Sequence, residues 1–97
     1  MYLVISTWEA LPGHEAEFDR VGPMMASILR KQPGVVLVEG IKSGNRHIAV
    51  HGYRDEAAYR AAVEDPNSEF VRAANSHGIE KSGRWIGSER GVSFPHL

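Results

Sequence analysis

Four stretches of the chain alternate hydrophobic side chains with others in the way that β-strands do. They are residues 2–9, 35–42, 46–53 and 84–94. The first stretch is apolar on both faces, so we expect both sides of that strand to be covered. Ser43, Gly44 and Asn45 form a compact turn signal between the second and third stretches, which predicts an antiparallel hairpin.

The third stretch, from Arg46 to Tyr53, leads directly into a helix signal. Its ring-bearing face holds His47, Ala49, His51 and Tyr53, and its apolar face holds Ile48, Val50 and Gly52. Asp55 follows as an N-cap residue, and Glu56 places an acidic side chain in the first helical turn. We therefore expect any chemistry of this protein near the junction of this strand and this helix.

Helical periodicity predicts three further segments. The apolar residues of the first recur at spacings of three and four: Phe18, Val21, Met25, Ile28 and Leu29. Gly22-Pro23 lies inside this helix and predicts a kink or a break, because proline removes a backbone hydrogen bond. The second helix is predicted over residues 55–64. A short third helix, with Pro66 in its first turn, is predicted to stop at His77-Gly78.

The order β-α-β-β-α-β predicts a ferredoxin-like α+β fold, with one antiparallel sheet backed by helices on one face. Residues 1–97 are the length of a single domain. The predicted strands carry apolar or aromatic residues on both faces, although helices cover only one of them. A second subunit is therefore expected on the other face, which predicts a homodimer.

Composition removes several classes of function. Hydrophobic residues make up 42% of the chain and charged residues 24%, as in ordinary globular domains. The formal net charge is −1 and no basic stripe exists, so nucleic acid is not an expected partner. The lack of cysteine excludes disulfides and thiolate chemistry. No apolar segment approaches the roughly 20 residues that span a membrane, and a cytoplasmic location is expected.

Several motifs, taken in order, resemble the antibiotic biosynthesis monooxygenase family of small dimeric α/β barrels. They are Leu11-Pro12-Gly13, Gln32-Pro33-Gly34, residues 53–60 (YRDEAAYR), Asp65-Pro66-Asn67-Ser68, and Ser88-Glu89-Arg90-Gly91 with Pro95. The likeness covers nearly the whole chain and is strongest to the branch that oxidises anthrones. It implies oxidation of a small electron-rich aromatic, anthrone-like or quinol-like, by O₂ without metal, haem or flavin.

The resemblance carries over to individual positions only in part. The tyrosine of the second helix is kept as Tyr59, and the arginine of the following short helix as Arg72. Tyr53 stands where the family has a tryptophan, and Ala49 stands where it has an asparagine on strand three. The Tyr-His pair of the family's second strand falls near Gly40-Ile41.

His51 is the candidate proton acceptor, because histidine exchanges protons near neutral pH. Tyr53 and Tyr59 are candidates to bind or stack on the substrate, beside Trp8 and Ala49. Each of these residues has an alternative role as an ordinary hydrogen-bonded or core side chain. Trp8 is equally expected in the core or the dimer interface, as is Trp85.

Arg72 is the candidate to stabilise the substrate anion. Its alternative is a solvated arginine that pairs with Glu64 or Glu69. A metal site is not expected, because His47 and His51 lie about 13 Å apart along a strand.

Two other functions remain open. One is a non-catalytic dimeric module that binds a small hydrophobic ligand, which predicts that His51 and Arg72 face solvent. The weaker one is a haem-binding or haem-degrading protein that uses His77. Ala74 stands where the haem-degrading branch has its histidine ligand.

Overall fold

The computed structural model describes residues 1–94, so Pro95 of the motif comparison lies outside the described residues. The elements are β1 (Tyr2–Ala10), α1 (Glu15–Arg30), β2 (Val35–Ser43), β3 (Arg46–Tyr53), α2 (Glu56–Tyr59), a π-helical turn (Arg60–Glu64), α3 (Glu69–His77), a 3₁₀ turn (Ile79–Lys81) and β4 (Gly83–Val92). This order is the predicted β-α-β-β-α-β arrangement.

One four-stranded sheet holds all the strands in the order β2-β3-β1-β4. Every neighbouring pair is antiparallel, and β2 and β3 form the predicted hairpin. Gly44 supplies the turn with a φ of 63°, a value that glycine adopts without steric cost. The ferredoxin-like α+β fold predicted from the sequence is therefore confirmed.

Helix α1 differs from its prediction at Pro23. The helix continues from Glu15 to Arg30 through this proline, so the predicted break is wrong, while a kink, the other predicted outcome, stays a prediction. Its buried face holds it on the sheet: Phe18, Val21, Met25 and Leu29. Burial of such side chains contributes about 1.5–3 kcal/mol each, which offsets a cost of about 3 kcal/mol for an interior proline.

The helices after β3 begin at side-chain caps. Asp55 accepts a hydrogen bond from the Ala58 amide at 2.8 Å, as its N-cap position predicts. Ser68 accepts one from the Val71 amide at 3.0 Å and so begins α3. Pro66 therefore lies in the preceding turn, and its predicted place in the first turn of α3 is wrong. Gly78 ends α3 in the left-handed conformation.

The core lies between the sheet and the helices. Val4 and Val38 on the strands pack with Leu29 of α1 in one buried cluster, together with tyrosines on β1, β3 and α2. Among residues 1–94, no helix packs on the opposite face of the sheet. Ile5 and Ile41 on that face are 45% and 61% exposed. Among the helices of residues 1–94, none is long and apolar enough to span a membrane.

Candidate functional site

A cleft of about 840 Å³ lies between the helix-facing side of the sheet and α1. Its floor consists of three rows of four residues, each row crossing the sheet from β2 to β4. The first row is Val38, His51, Val4 and Arg90; the middle row is Gly40, Ala49, Ser6 and Ser88; the last row is Lys42, His47, Trp8 and Trp85. All twelve residues line the cleft.

The middle row explains why a cleft exists at this position. No side chain of this row is larger than serine, whereas rings and charged groups occupy the rows on either side. Neighbouring rows are about 7 Å apart, because two strand residues separate them. The small floor leaves space beneath α1, which covers the cleft with Phe18, Met25 and Leu29.

His51 and Tyr53 form a buried pair at the first row. The His51 Nδ1 atom lies 2.7 Å from the Tyr53 hydroxyl oxygen. His51 is 7% exposed and Tyr53 is fully buried. Burial lowers the pKa of His51 to about 4, and burial together with the neighbouring Tyr59 raises the pKa of Tyr53. Both side chains are therefore neutral at pH 7.

Tyr59 and Arg90 add a second polar pair beside this one. The Arg90 Nη1 atom donates to the Tyr59 hydroxyl at 3.3 Å, and its guanidinium carbon lies 5.3 Å from the centre of the Tyr59 ring. Interaction with Tyr59 raises the pKa of Arg90. The Tyr59 ring also packs against Tyr53 and Tyr2, with centroid distances of 5.4 and 5.3 Å. This packing holds the hydroxyl at the cleft.

Two serine hydroxyls meet on the middle row. The Oγ atoms of Ser6 and Ser88 lie 2.8 Å apart, and the Trp85 indole nitrogen donates to Ser88 at 3.0 Å. Trp85 is 56% exposed and lines the cleft, as does Trp8. The rings of both tryptophans therefore face the cleft.

The last row carries a charged cluster with a histidine. Lys42 donates to Asp19 Oδ2 at 2.7 Å, and His47 Nε2 lies 3.1 Å from Asp19 Oδ1. The second contact has ion-pair distance without hydrogen-bond alignment. The hydrogen bond from Lys42 lowers the pKa of Asp19. His47 packs edge-on against Phe18 at 4.7 Å.

The structure brings together most of the residues that the sequence singled out. His51, Tyr59, Trp8 and Ala49 all line the cleft. Tyr53 lies behind His51 rather than at the cleft surface.

Arg72 does not join them. It is exposed on α3 and is not among the residues that line the cleft. Arg72 was the candidate to stabilise the substrate anion, but the arginine beside Tyr59 at the cleft is Arg90 of β4. The alternative ion pairs of Arg72 with Glu64 or Glu69 do not form within residues 1–94. His77 is exposed and also lies outside the cleft lining.

The sequence prediction missed Arg90 and the group formed by Asp19, Lys42 and His47. Arg90 had a signal, because it lies in a motif of the family resemblance, but its place beside Tyr59 depends on the register between β1 and β4. Asp19 reaches His47 across the gap between α1 and β3. Within the described part of the chain, no group of three or more metal-ligating side chains comes together.

No family model matches this chain, and no curated protein matches it either. Solved structures do match over nearly its whole length. SnoaB from Streptomyces nogalater, described as a cofactor-independent oxygenase, is 19% identical with a TM-score of 0.79 and covers 99% of this chain and 95% of its own.

Two further structures show the same likeness. A candidate antibiotic biosynthesis monooxygenase from Deinococcus radiodurans is 12% identical with a TM-score of 0.80 and covers 100% of this chain and 96% of its own. Rv0793 from Mycobacterium tuberculosis is 13% identical with a TM-score of 0.79. The match covers 98% of this chain and 96% of the Rv0793 chain. The chain therefore shares its fold with antibiotic biosynthesis monooxygenases, as its motifs indicated.

Proposed function

We propose that this protein is a cofactor-independent monooxygenase that oxidises a small electron-rich aromatic, anthrone-like or quinol-like, with O₂. The observation that carries the proposal is the cleft itself, which has an aromatic lining, His51 and Arg90 in its first row, and the Tyr59 hydroxyl hydrogen-bonded to Arg90. SnoaB, which has the same fold, is described as a cofactor-independent oxygenase. That description supports the reaction class.

The size and lining of the cleft suit a flat ring system. A volume of about 840 Å³ falls within the ~300–1,000 Å³ of small-molecule pockets. Rings from Trp8, Phe18, Tyr59 and Trp85 provide flat apolar walls on which an aromatic substrate stacks. The small side chains of the middle row provide the space between them.

The proposed reaction balances without a cofactor. For an anthrone, a ring CH₂ group becomes a carbonyl group: the carbon loses two hydrogens and gains one oxygen atom. The second oxygen atom leaves as water, and the substrate supplies all four electrons. Loss of a proton comes first, since the resulting anion gives up electrons to O₂ more readily than the neutral substrate does.

In this reaction Tyr59 and Arg90 stabilise the substrate anion. Arg90 is exposed, so its charge and the Tyr59 hydroxyl contribute most once a ligand that fills the cleft has displaced water from them. The low pKa of His51 makes it a weak base at pH 7. We therefore assign His51 a hydrogen-bonding role toward the substrate in place of the proton-accepting role expected from the sequence, with Tyr53 fixing its ring.

The proposed protein is a homodimer, in which the open sheet face of one subunit covers that of the other as a dimeric α/β barrel. Ile5 and Ile41 are exposed on that face, and Leu3, Ile48 and Val50 are half-buried there. A contiguous apolar patch of this kind is typical of a protein interface. A cytoplasmic location remains a prediction of the sequence.

The experiment is O₂ uptake by metal-free protein with anthrone and with a hydroquinone, each against an anaerobic control. The proposal predicts uptake above the rate without protein, with product that carries one oxygen atom from O₂ when the gas is isotopically labelled. Uptake equal to the protein-free rate with both substrates would overturn the proposal.

The non-catalytic binding module is the second candidate function. The exposed position of Arg72 agrees with it, but the buried position of His51 at the cleft does not. This candidate predicts that aromatic ligands bind without O₂ uptake. Haem binding through His77 has less support, because His77 lies outside the cleft lining. A Soret band that disappears in His77→Ala would be the evidence for it.

A further inference from the structure

The last row of the cleft holds a histidine–carboxylate pair that has no role in the reaction proposed above. His47 Nε2 lies 3.1 Å from the Asp19 carboxylate, and Lys42 holds the other oxygen of that carboxylate at 2.7 Å. A carboxylate on one imidazole nitrogen orients the ring and stabilises the imidazolium form. Catalytic hydrogen bonds of this kind are often misaligned before substrate binds, as this one is.

The other nitrogen of His47 is open towards the cleft. Among residues 1–94, Nδ1 has no hydrogen-bond partner, and it is not sealed in the way that Nε2 is. Gly22 of α1 lies opposite it: a Cβ atom at this position would lie 3.8 Å from Nδ1, in van der Waals contact. Glycine therefore leaves the space in front of Nδ1 free.

Helix α1 contains two residues of low helix propensity next to His47. Glycine inside a helix costs about 1 kcal/mol and proline about 3 kcal/mol, yet Gly22 and Pro23 stand side by side in α1. Both line the cleft. Residues that destabilise the element in which they lie tend to occur at functional sites, where they give the site a shape that other residues would not.

We propose that His47 is the proton acceptor of this cleft, that Asp19 is its positioning residue, and that the ligand is a conjugated aromatic with an acidic group opposite a carbonyl oxygen. This inference rests on the proposed function for its reaction. In the step, the substrate's C–H or O–H bond breaks and an N–H bond forms at His47 Nδ1. The electron pair stays on the substrate as the anion.

The two ends of the cleft give that ligand its shape. Arg90 lies in the first row, with Tyr59 of α2 hydrogen-bonded to it, and His47 lies in the last row. The two rows are about 13 Å apart along the strands. A proton leaves at one end, and the negative charge moves through the ring system to an oxygen at the other. A ligand can therefore use both His47 and the Tyr59–Arg90 pair only if it is conjugated, with an acidic group at one end and a carbonyl oxygen at the other.

Charges at the last row agree with this step. The charges of Lys42 and Asp19 have opposite signs and cancel each other. A proton transferred to His47 therefore adds one positive charge beside the cleft, which offsets the negative charge of the ligand. His51 is a poorer acceptor, because its burial opposes a positive charge there.

Umbelliferone tests the inference without any oxygen chemistry. It is a hydroxycoumarin whose hydroxyl and carbonyl lie at opposite ends of one conjugated system, and its neutral and anionic forms absorb at different wavelengths. At about pH 6 it is mostly neutral in water, so the anion signals proton transfer in the cleft. We expect the wild-type protein to raise the anionic fraction of the bound probe.

His47→Gln is the main variant, and His14→Gln is the matched control, because His14 is exposed at the start of α1. We expect His47→Gln to lower the bound anion-to-neutral ratio about tenfold or more, equal to one pKa unit of the bound probe. His14→Gln should keep the wild-type ratio. His51→Gln should weaken the binding of umbelliferone, but the bound umbelliferone should have the same anionic fraction as with the wild-type protein.

Two further variants test the same inference if His47→Gln folds poorly. Asp19→Asn keeps the shape but removes the carboxylate charge, and we expect a lower anionic fraction. Gly22→Ala places a methyl group against Nδ1. It should raise the melting temperature, since alanine favours helix, while it lowers the anionic fraction.

Loss of the anion in His51→Gln but not in His47→Gln would overturn the inference. So would the lack of any anion with the wild-type protein. Failure of O₂ uptake with both anthrone and the hydroquinone would instead reject the oxygenase function and leave the umbelliferone result as it stands, so the two outcomes are distinguishable.

Discussion

His51 Nδ1 lies 2.7 Å from the hydroxyl oxygen of Tyr53, and both side chains are buried at the first row of the cleft. One nitrogen of His51 is thus occupied inside the protein, and its ring is held by a tyrosine that has no exposed surface. The pair links the stability of the fold to the site, because any charge on His51 would have to be buried with it.

The first prediction concerns acid stability. Burial holds the pKa of His51 at about 4, against 6.5 in the unfolded chain. Below about pH 6.5 the unfolded chain binds a proton that the folded protein does not, so the free energy of unfolding falls as the pH drops towards about 4. The shift corresponds to about 3 kcal/mol over this range. Urea unfolding at a series of pH values measures it.

His51→Gln provides the comparison for that experiment, since glutamine does not titrate. We expect the variant to be less stable at pH 7, yet to lose less stability than the wild-type protein between about pH 6.5 and about 4. An equally steep loss in both proteins would show that His51 is not the group responsible.

The second prediction concerns the small middle row of the cleft. Ala49→Leu should fill the space between the outer rows and weaken binding of aromatic ligands at least about tenfold, or 1.4 kcal/mol. Stability should change little, because the new side chain enters a cleft rather than a packed core. Ala57→Leu makes the same change at an exposed residue of α2, outside the cleft lining, and is the matched control. Equal binding by both variants would contradict the cleft as the binding site.

The third prediction separates the two candidate arginines. Arg90→Gln should reduce oxygenation of anthrone about 10²-fold, the usual effect of removing one group that stabilises a developing oxyanion. Arg72→Gln makes the same change on the exposed side of α3 and should retain most of the activity. The rate of O₂ uptake measures both. Greater loss in Arg72→Gln would restore the role that the sequence predicted for it.

The fourth prediction concerns assembly. Ile5→Lys and Ile41→Lys each place a charge on the open sheet face, and burial of an unpaired charge is strongly unfavourable. We expect both variants to shift the molecular mass in light scattering from dimer to monomer at micromolar concentration. Ala57→Lys changes an exposed residue of α2 and should remain dimeric. A monomeric wild-type protein would contradict the prediction.

The sequence by itself determined the elements, because their signals are local. Alternation along β3 assigned His51 and Tyr53 to one face, and the structure places both on the helix-facing side. Asp55 begins α2 as predicted, because the cap depends only on residues within one turn. The break at Pro23 was a local prediction that failed, since burial of the apolar face of α1 outweighs the local cost.

Tertiary structure alone decided what the cleft contains. Gly40, Ala49, Ser6 and Ser88 are ordinary residues in the sequence, and they form one row only through the register of four strands. The same register brings Arg90 to Tyr59, while the helical phase of α3 turns Arg72 outward. Periodicity within an element reports which side a residue faces. Which residues meet across elements depends on pairing between distant segments, and no local pattern carries that information.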